Sequence, residues 1–332
     1  MTRIIDIFAG PGGLSEGFSS VLGPDGERAF DVCLSIEKDS YAFQTLKLRT
    51  FFRAFPLGSV PSEYYAFLQG KLSVDKLFDL YPEQASIADR EAWCAALGDD
   101  ENCPYDELDN RIQNALDGDD PWVLIGGPPC QAYSLVGRAR NKGKIGYTPE
   151  EDERHFLYRE YLRIIGAHSP AAFVMENVKG ILSSRVNQEL IFERILSDIQ
   201  FPFQALREEG IHVPNRFRYR LYSVVTGEYH DGDDHRNFTV KAEDYGIAQA
   251  RHRVIIVGIR EDIENGIQPL EKVDRKEALR PFLAGIPKVR SGLSREPDSL
   301  DFWKKRVQEA LGADWLGEVK QKCGEDVYEK HN

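Results

Sequence analysis

The sequence predicts an α/β protein: a mostly parallel twisted sheet, helices on both faces, and an acidic insertion after the second strand. Three observations carry this. A β-branched run at residues 3–8 leads through Gly10-Pro11-Gly12-Gly13 into a helical pattern from Leu14 to about Leu22. A second apolar run, Phe30–Ile36, ends at Glu37 and is followed by helical spacing over 39–55. Farther on, two strand-length apolar runs, Trp122–Ile125 and Ala171–Met175, alternate with helical segments at Phe156–Ala167 and Gln188–Asp198.

The remaining elements follow from the same reading. Residues 56–108 are less regular, with aromatic clusters such as Tyr64-Tyr65-Ala66-Phe67, and read as an insertion packed on the sheet's rim. Arg111–Leu116 reads as a short helix, and Arg218–Val225 and Arg253–Ile259 as two late strands that pair. Beyond Arg260 the pattern loosens around Pro269, Pro281, Pro287 and Pro297. The expected division is one large α/β domain over 1–262, then a less regular segment over 263–332.

Hydrophobic residues at 42% and charged residues at 29% over 332 positions are the balance of a globular chain with a sizeable core. No run approaches the ~18 apolar residues of a membrane helix, and the first residues lack the features of a signal peptide. Five cysteines without a CxxC pair argue against a disulfide framework or a cysteine zinc site, and no histidine spacing implies a metal. Cys33 and Cys94 read as inert small hydrophobes. These features place the chain in a reducing cytoplasm. The net charge of −12 is uneven: residues 51–120 carry 15 acidic and 5 basic side chains, leaving a nearly neutral body able to hold a basic groove.

The glycine turn lets a ligand approach the backbone closely, with helix amides pointing at it. Glu37, 24 residues past Gly13, stands where an acid accepts hydrogen bonds from ribose hydroxyls. A tight strand–helix turn needs glycine for its own geometry, so this signal alone leaves both readings open. Position 15 is Ser, not the third glycine of a dinucleotide fingerprint, which favours a cofactor without a pyrophosphate.

The strand Trp122–Ile125 runs into Gly126-Gly127-Pro128-Pro129-Cys130. Paired prolines stiffen the backbone and aim the thiol, at the strand end where open α/β sheets bind ligands. Arg138, Arg140, Lys142 and Lys144 follow; alone they are a solvated loop, but beside a presented thiol they fit a loop closing over a polyanion. Nearby cations also favour the thiolate.

Glu176, at the end of the next strand, must find a partner or take up a proton; it is either a salt-bridge acid or a donor to a ring nitrogen. In Gln249-Ala250-Arg251-His252-Arg253, strand alternation sets Gln249, Arg251 and Arg253 on one face, where two guanidiniums can grip a phosphate or a carbonyl.

The ordered set Asp6–Phe18 (DIFAGPGGLSEGF), Gly126–Ser134 (GGPPCQAYS), Glu176–Val178 (ENV) and Gln249–Arg253 (QARHR) resembles the DNA cytosine-5 methyltransferases over about residues 2–260. The resemblance implies a Rossmann-like class I methyltransferase fold, with S-adenosylmethionine as cofactor and S-adenosylhomocysteine as product. Phe8, Ala9, Gly10, Pro11, Gly12, Gly13 and Leu14 would line the cofactor pocket, Glu37 and Lys38 would hold the ribose end, and Pro129 would flank the methyl group. The family's acid at the adenine amine, about 18 residues before the second glycine of the Pro-Cys turn, falls on Asp109, with Asp106 close by, and Leu157 would meet the adenine ring.

Cys130 would add to C6 of a flipped cytosine, Glu176 would act on N3, and Arg253 with Arg251 would hold O2. Gln131, Ser134, Asn177 and Gln249 would support the site, and the basic loop would close on double-stranded DNA. The expected setting is a bacterial or archaeal restriction-modification or related defence system.

The family's target-recognition region and its last two signatures do not follow, so the expectation is a truncated chain or one subunit of a split enzyme whose partner supplies recognition and a closing helix. The rivals are a tRNA cytosine-5 methyltransferase, a catalytically idle DNA-scaffolding subunit, and a nicotinamide dehydrogenase. The last is disfavoured by the absent glycine and the Pro-Pro-Cys turn.

Overall fold

The structure is a computed structural model that describes residues 1–118, 121–129, 157–186, 189–214, 216–230, 232, 234–263, 266–274, 277–286, 292–293 and 296–318. The chain divides into two units, 1–277 and 278–332.

In the first unit the order is β1 (Thr2–Ile7), α1 (Gly13–Ser19), β2 (Phe30–Glu37), α2 (Ser40–Arg53), α3 (Ser62–Leu68), α4 (Val74–Leu80), α5 (Pro82–Glu91), β3 (Ala92–Cys94), α6 (Tyr105–Leu116) and β4 (Trp122–Gly126). Then come α7 (Leu157–His168), β5 (Ala172–Val178), the two-residue strands β6 (Arg185–Val186) and β7 (Glu189–Leu190), α8 (Ile191–Gln200) and α9 (Pro202–Glu208). Strands β8 (Tyr219–Ser223), β9 (Thr239–Lys241) and β10 (His252–Arg260) complete the sheet.

The sheet runs β3-β2-β1-β4-β5-β10-β8, with β9 alongside β10. Strands β1 to β5 are parallel, whereas β10 runs antiparallel to β5 and β8 antiparallel to β10. The chain leaves β1 toward β2 on one side and returns to β4 on the other. That reversal opens a crevice at the carboxyl ends of β1 and β4, the usual ligand position in such sheets.

One face of the sheet carries the main core. Ile5 and Ile7 of β1, Leu124 of β4, Phe173 and Met175 of β5, and Val254 and Ile256 of β10 pack under α6, α7 and α8. Strand alternation makes this possible, since β5 is buried at every second residue. Gly258 is required here: a Cβ would lie 2.1 Å from Cζ of Phe173 on the neighbouring strand. Tyr161 of α7, fully buried, donates its hydroxyl to the Val174 carbonyl at 3.0 Å. On the other face, Leu14 and Phe18 of α1 cover Ile4, Val32 and Ile125, and Leu46 of α2 packs on Ala9 and Ala92.

The acidic stretch after β2 differs from the irregular segment expected there. Its first part forms α3, α4 and α5, which close a second small core with α2 around Phe51, Phe55, Tyr64 and Leu77. Its second part adds β3 to the sheet beside β2 and begins α6 at Tyr105, six residues before the expected start at Arg111. A three-residue strand has too little alternation to be read from sequence. The α-helical periodicity of α3–α5 is broken every seven to ten residues by turns.

A buried charge network lies beneath the glycine turn. The carboxyl of Asp6, fully buried, accepts the Ser15 hydroxyl of α1, and burial pushes its pKa up to about 7 against the pull of Ser15 and Arg53. Arg53 pairs with Glu16 and Glu91, and Thr50 donates to Glu91 at 2.9 Å.

The second unit holds α10 (Leu279–Leu283) and α11 (Leu300–Leu311), neither of which buries a residue. Ser299 caps α11 by accepting the Phe302 amide, and Arg306 of that helix pairs with Glu296 and Glu309.

Candidate active site

The glycine turn takes its shape from three left-handed residues. Gly10 and Gly12 have φ of +56° and +85°, and Phe8, a bulky residue, has φ of +55°. Such strain in a non-glycine residue persists where the surroundings enforce it. The turn is tied to β2: the Ala9 amide donates to the Ile36 carbonyl at 3.0 Å and the Gly10 amide to Glu37 Oε2 at 2.7 Å. Glu37 Oε1 accepts the Asp39 amide at 2.7 Å. Both oxygens are thus oriented by backbone donors, and each keeps a lone pair for a further hydroxyl.

A pocket of about 280 Å³ opens at the crevice between β1 and β4. Ile36, Ala95, Leu97 and Leu157 give it apolar walls, Phe8, Glu37 and Lys38 one end, and Pro128, Pro129, Glu176 and Asn177 the other. Apolar walls able to sandwich a flat ring, with an oriented carboxylate beside them, fit a nucleoside-bearing cofactor. Among the described residues no cluster of three or more His, Cys, Asp or Glu is arranged to hold a metal.

At the far end Glu176 projects from β5. Its Oε1 lies 2.6 Å from Nε of Arg253, the second residue of β10, whose partner in the antiparallel register is Val178. Gly127 makes room for this carboxylate, since a Cβ there would stand 3.0 Å from Glu176 Oε2. Asn177, buried, donates Nδ2 to the Pro128 carbonyl at 3.1 Å and accepts the Val178 amide on Oδ1 at 2.8 Å. The result is a fixed acid–guanidinium pair beside a proline-stiffened turn. It can hold a planar group bearing adjacent acceptor and donor atoms.

Of the residues anticipated from sequence, the structure gathers Phe8, Glu37, Lys38, Pro129, Leu157, Glu176 and Asn177 at this pocket. Gly10 reaches it through Glu37, and Arg253 through Glu176. Ala9, Gly12 and Leu14 turn inward: Ala9 packs on Leu46, Leu14 joins the core with Phe18, and a Cβ on Gly12 would meet Leu46 Cδ1 at 2.9 Å. Pro11 and Gly13 face solvent.

Two expectations need correction. Asp109 does not line the pocket. It sits on α6 with its carboxylate held by Arg163 at 2.9 Å and His168 at 2.7 Å, and against the penalty of burial those bonds keep its pKa below the usual range. Counting residues back from the Pro-Cys turn misplaced it, because helix α6 lies between β3 and β4. The strand alternation invoked for Gln249, Arg251 and Arg253 also fails, since β10 begins at His252; Gln249 and Arg251 lie exposed before it, and only Arg253 meets Glu176. His252 instead pairs with Glu243 at 2.8 Å.

Cys130, Gln131, Ser134, Arg138, Arg140, Lys142 and Lys144 lie outside the described residues. Burial pushes the Cys33 thiol up to about 12 and the Cys103 thiol up to about 11, which suppresses the thiolate at both. Cys94 is exposed at the end of β3, so it is no packed hydrophobe. The sequence reading missed Ile36, Ala95, Leu97, Gly127, Pro128 and Val178. Ile36, Gly127, Pro128 and Val178 adjoin residues it had singled out. Ala95 and Leu97 follow the strand it did not see.

Comparison with known proteins bears on this site. The profile of the C-5 cytosine-specific DNA methylase family matches residues 99–201 and 235–331. A type II methyltransferase, M.Bpa9945I of Bacillus paralicheniformis, is 29% identical over 274 residues, 78% of this chain and 54% of that protein. M.DdeI, a type II methyltransferase of Desulfomicrobium norvegicum, is 26% identical over 87% of this chain and 49% of its own length. The DNA (cytosine-5-)-methyltransferase M.ApeKI of Aeropyrum pernix is 31% identical over 49% of this chain and 32% of its own. The chain therefore spans about half the length of the first two relatives.

Proposed function

The chain belongs to the C-5 cytosine-specific DNA methylase family, and on that premise we propose that it methylates cytosine at C5 in double-stranded DNA, as the modification enzyme of a type II restriction-modification or related defence system. The observation that carries the reading is the pocket that joins an oriented Glu37 at one end to the Glu176–Arg253 pair at the other, with Pro129 leading into Cys130.

The chemistry follows from these groups. C5 of cytosine is a weak nucleophile while the ring is aromatic. The Cys130 thiolate forms a bond to C6, which breaks the conjugation and sends an electron pair toward C5 and N3. Glu176 supplies a proton or hydrogen bond at N3 and so neutralises the displaced charge. Arg253 orients Glu176 and presents guanidinium N–H groups to O2. Asn177 keeps the Pro128 carbonyl, two positions before Cys130, in place.

Phe8, Glu37 and Leu157 would hold S-adenosylmethionine, which would supply the methyl group that C5 takes up and would leave as S-adenosylhomocysteine. Loss of the C5 proton to a base then restores the ring and expels the thiolate. Because both faces of the ring must be reached, the cytosine is flipped out of the duplex, whose phosphates the basic residues Arg138, Arg140, Lys142 and Lys144 would contact.

The protein acts in the cytoplasm, and none of its described helices is long and apolar enough to cross a membrane. The proposal does not call on a second subunit.

The test is covalent trapping. Incubated with S-adenosylmethionine and duplex DNA carrying 5-fluorocytosine, the protein should form a denaturant-stable adduct, because the C5 fluorine cannot leave as a proton does. Cys130→Ser should form none. An adduct that survives in Cys130→Ser, or no adduct on any duplex from a randomised pool, would refute the reading.

A further inference from the structure

The sheet's far end carries a second positively charged feature that methyl transfer leaves unused. Residues 216–220 read Arg-Phe-Arg-Tyr-Arg, and Arg216, Arg218 and Arg220 are all exposed while Tyr219 is fully buried. Arg220 lies in β8, and Arg218 extends its ladder, its carbonyl accepting the Glu261 amide at 2.9 Å. Arg218 and Arg220, alternate positions of this extended stretch, stand about 6.6 Å apart, comparable to the separation of successive phosphates along a nucleic-acid strand, and Arg216 lies in the segment that leads into it.

Two of these guanidiniums lie over aromatic rings: Arg216 over Phe203 at 5.0 Å from the centroid, and Arg218 over Phe201 at 5.4 Å. Stacking restricts the long side chains beforehand and leaves the N–H edges free, which lowers the entropy lost on gripping an anion. Arg260, at the same end, is neutralised by Asp262. Arg216, Arg218 and Arg220 meet no carboxylate among the described residues. In a chain of net charge −12, three exposed arginines within five residues are a local concentration of positive charge.

We propose that Arg216, Arg218 and Arg220 form a second DNA contact, a ladder that binds successive backbone phosphates of duplex DNA away from the catalytic pocket. Strand β10 gives the separation: Arg253 marks the pocket end and Arg260, paired with Tyr219, the ladder end, about 23 Å apart at ~3.3 Å per residue. The choice of duplex DNA over another polyanion rests on the function proposed above. The row of planar, preorganised forks matches a phosphodiester backbone better than a mobile lipid surface. The contact is sequence-independent, so it adds residence on DNA without altering which cytosine is chosen.

The experiment measures affinity for a mixed-sequence duplex of about 40 base pairs by fluorescence polarisation across a salt series. Each phosphate neutralised contributes a slope of about 0.9 to the decline of log K with log salt. R216Q/R218Q/R220Q should therefore reduce the slope by about 2 to 3 and weaken binding at low salt at least tenfold. R216K/R218K/R220K, which keeps the charges, should retain most of the slope. Binding of S-adenosylhomocysteine, read by calorimetry, should be the same in all three proteins, which separates loss of the ladder from loss of the fold. An unchanged slope in the Gln variant overturns the proposal. So does a variant that loses binding to anionic phosphatidylglycerol vesicles while keeping that to DNA. Because covalent trapping on 5-fluorocytosine is scored separately, failure of the ladder and failure of the catalytic reading give different results.

Discussion

Replacing Asp6 with Asn should change the pH dependence of stability in a way no surface substitution would. The Asp6 carboxyl is fully buried under the glycine turn, with one oxygen taken by Ser15 and the other without a partner. Burial raises its pKa from 3.8 to about 7. The folded state therefore holds a proton that the unfolded chain releases, so this group makes stability fall as pH rises from about 4 to about 7. A shift of roughly three units is worth on the order of 4 kcal/mol above pH 7.

The groups facing it are Ser15 of α1, Arg53 of α2 and Glu91 of α5, and all remain in the variant. Asn cannot ionise, and its carbonyl oxygen can still accept the Ser15 hydroxyl. Urea denaturation of both proteins between pH 5 and pH 8 should show the stability difference moving in favour of Asp6→Asn by about 2–3 kcal/mol. Parallel curves for the two proteins would refute the assignment of a protonated acid at this position.

Three further substitutions probe the site and its frame. Glu37→Gln leaves one oxygen to do the work of two, facing the Gly10 and Asp39 amides, and should weaken S-adenosylhomocysteine binding about tenfold by calorimetry, with little change in thermal midpoint. Gly127→Ala brings a methyl group to 3.0 Å from Glu176 Oε2, and displacing that carboxylate from Arg253 should slow adduct formation roughly tenfold or more while the chain still folds. Gly258→Ala drives a methyl group into the Phe173 ring at 2.1 Å, and should lower the urea midpoint by an amount equivalent to about 3 kcal/mol or abolish soluble expression.

Much of the fold was legible because strand and helix periods are distinct over segments of six or more residues. β1, β2, β4, β5, β8 and β10, with α1, α2, α7 and α8, lie within a few residues of their expected places. What stayed hidden was short or depended on distant contacts. β3 has three residues, and its place in the sheet comes from pairing with β2 and not from its own pattern. That single omission also concealed Ala95 and Leu97 and carried Asp109 to a place it does not occupy. Site residues fixed by backbone geometry, such as Glu37 after β2 and Glu176 on β5, could be anticipated because strand ends in parallel sheets converge on one rim. Arg251 was misjudged for the opposite reason: alternation predicts a face only inside a strand, and β10 starts one residue later. The partnership of Glu176 with Arg253 spans 77 positions and follows from the antiparallel register alone.

The reversed direction of β10 has an evolutionary consequence. Its neighbours deliver their side chains to the rim as they finish, whereas β10 delivers Arg253 as it starts, so the segment entering it from β9 opens on the same rim as the loops leaving β1, β2, β4 and β5. Lengthening or recasting that entry would reshape the guanidinium side of the cleft while leaving the nucleoside side, built on a different half of the sheet, untouched. Selection can thus retune what is presented for reaction without renegotiating how the donor molecule is held.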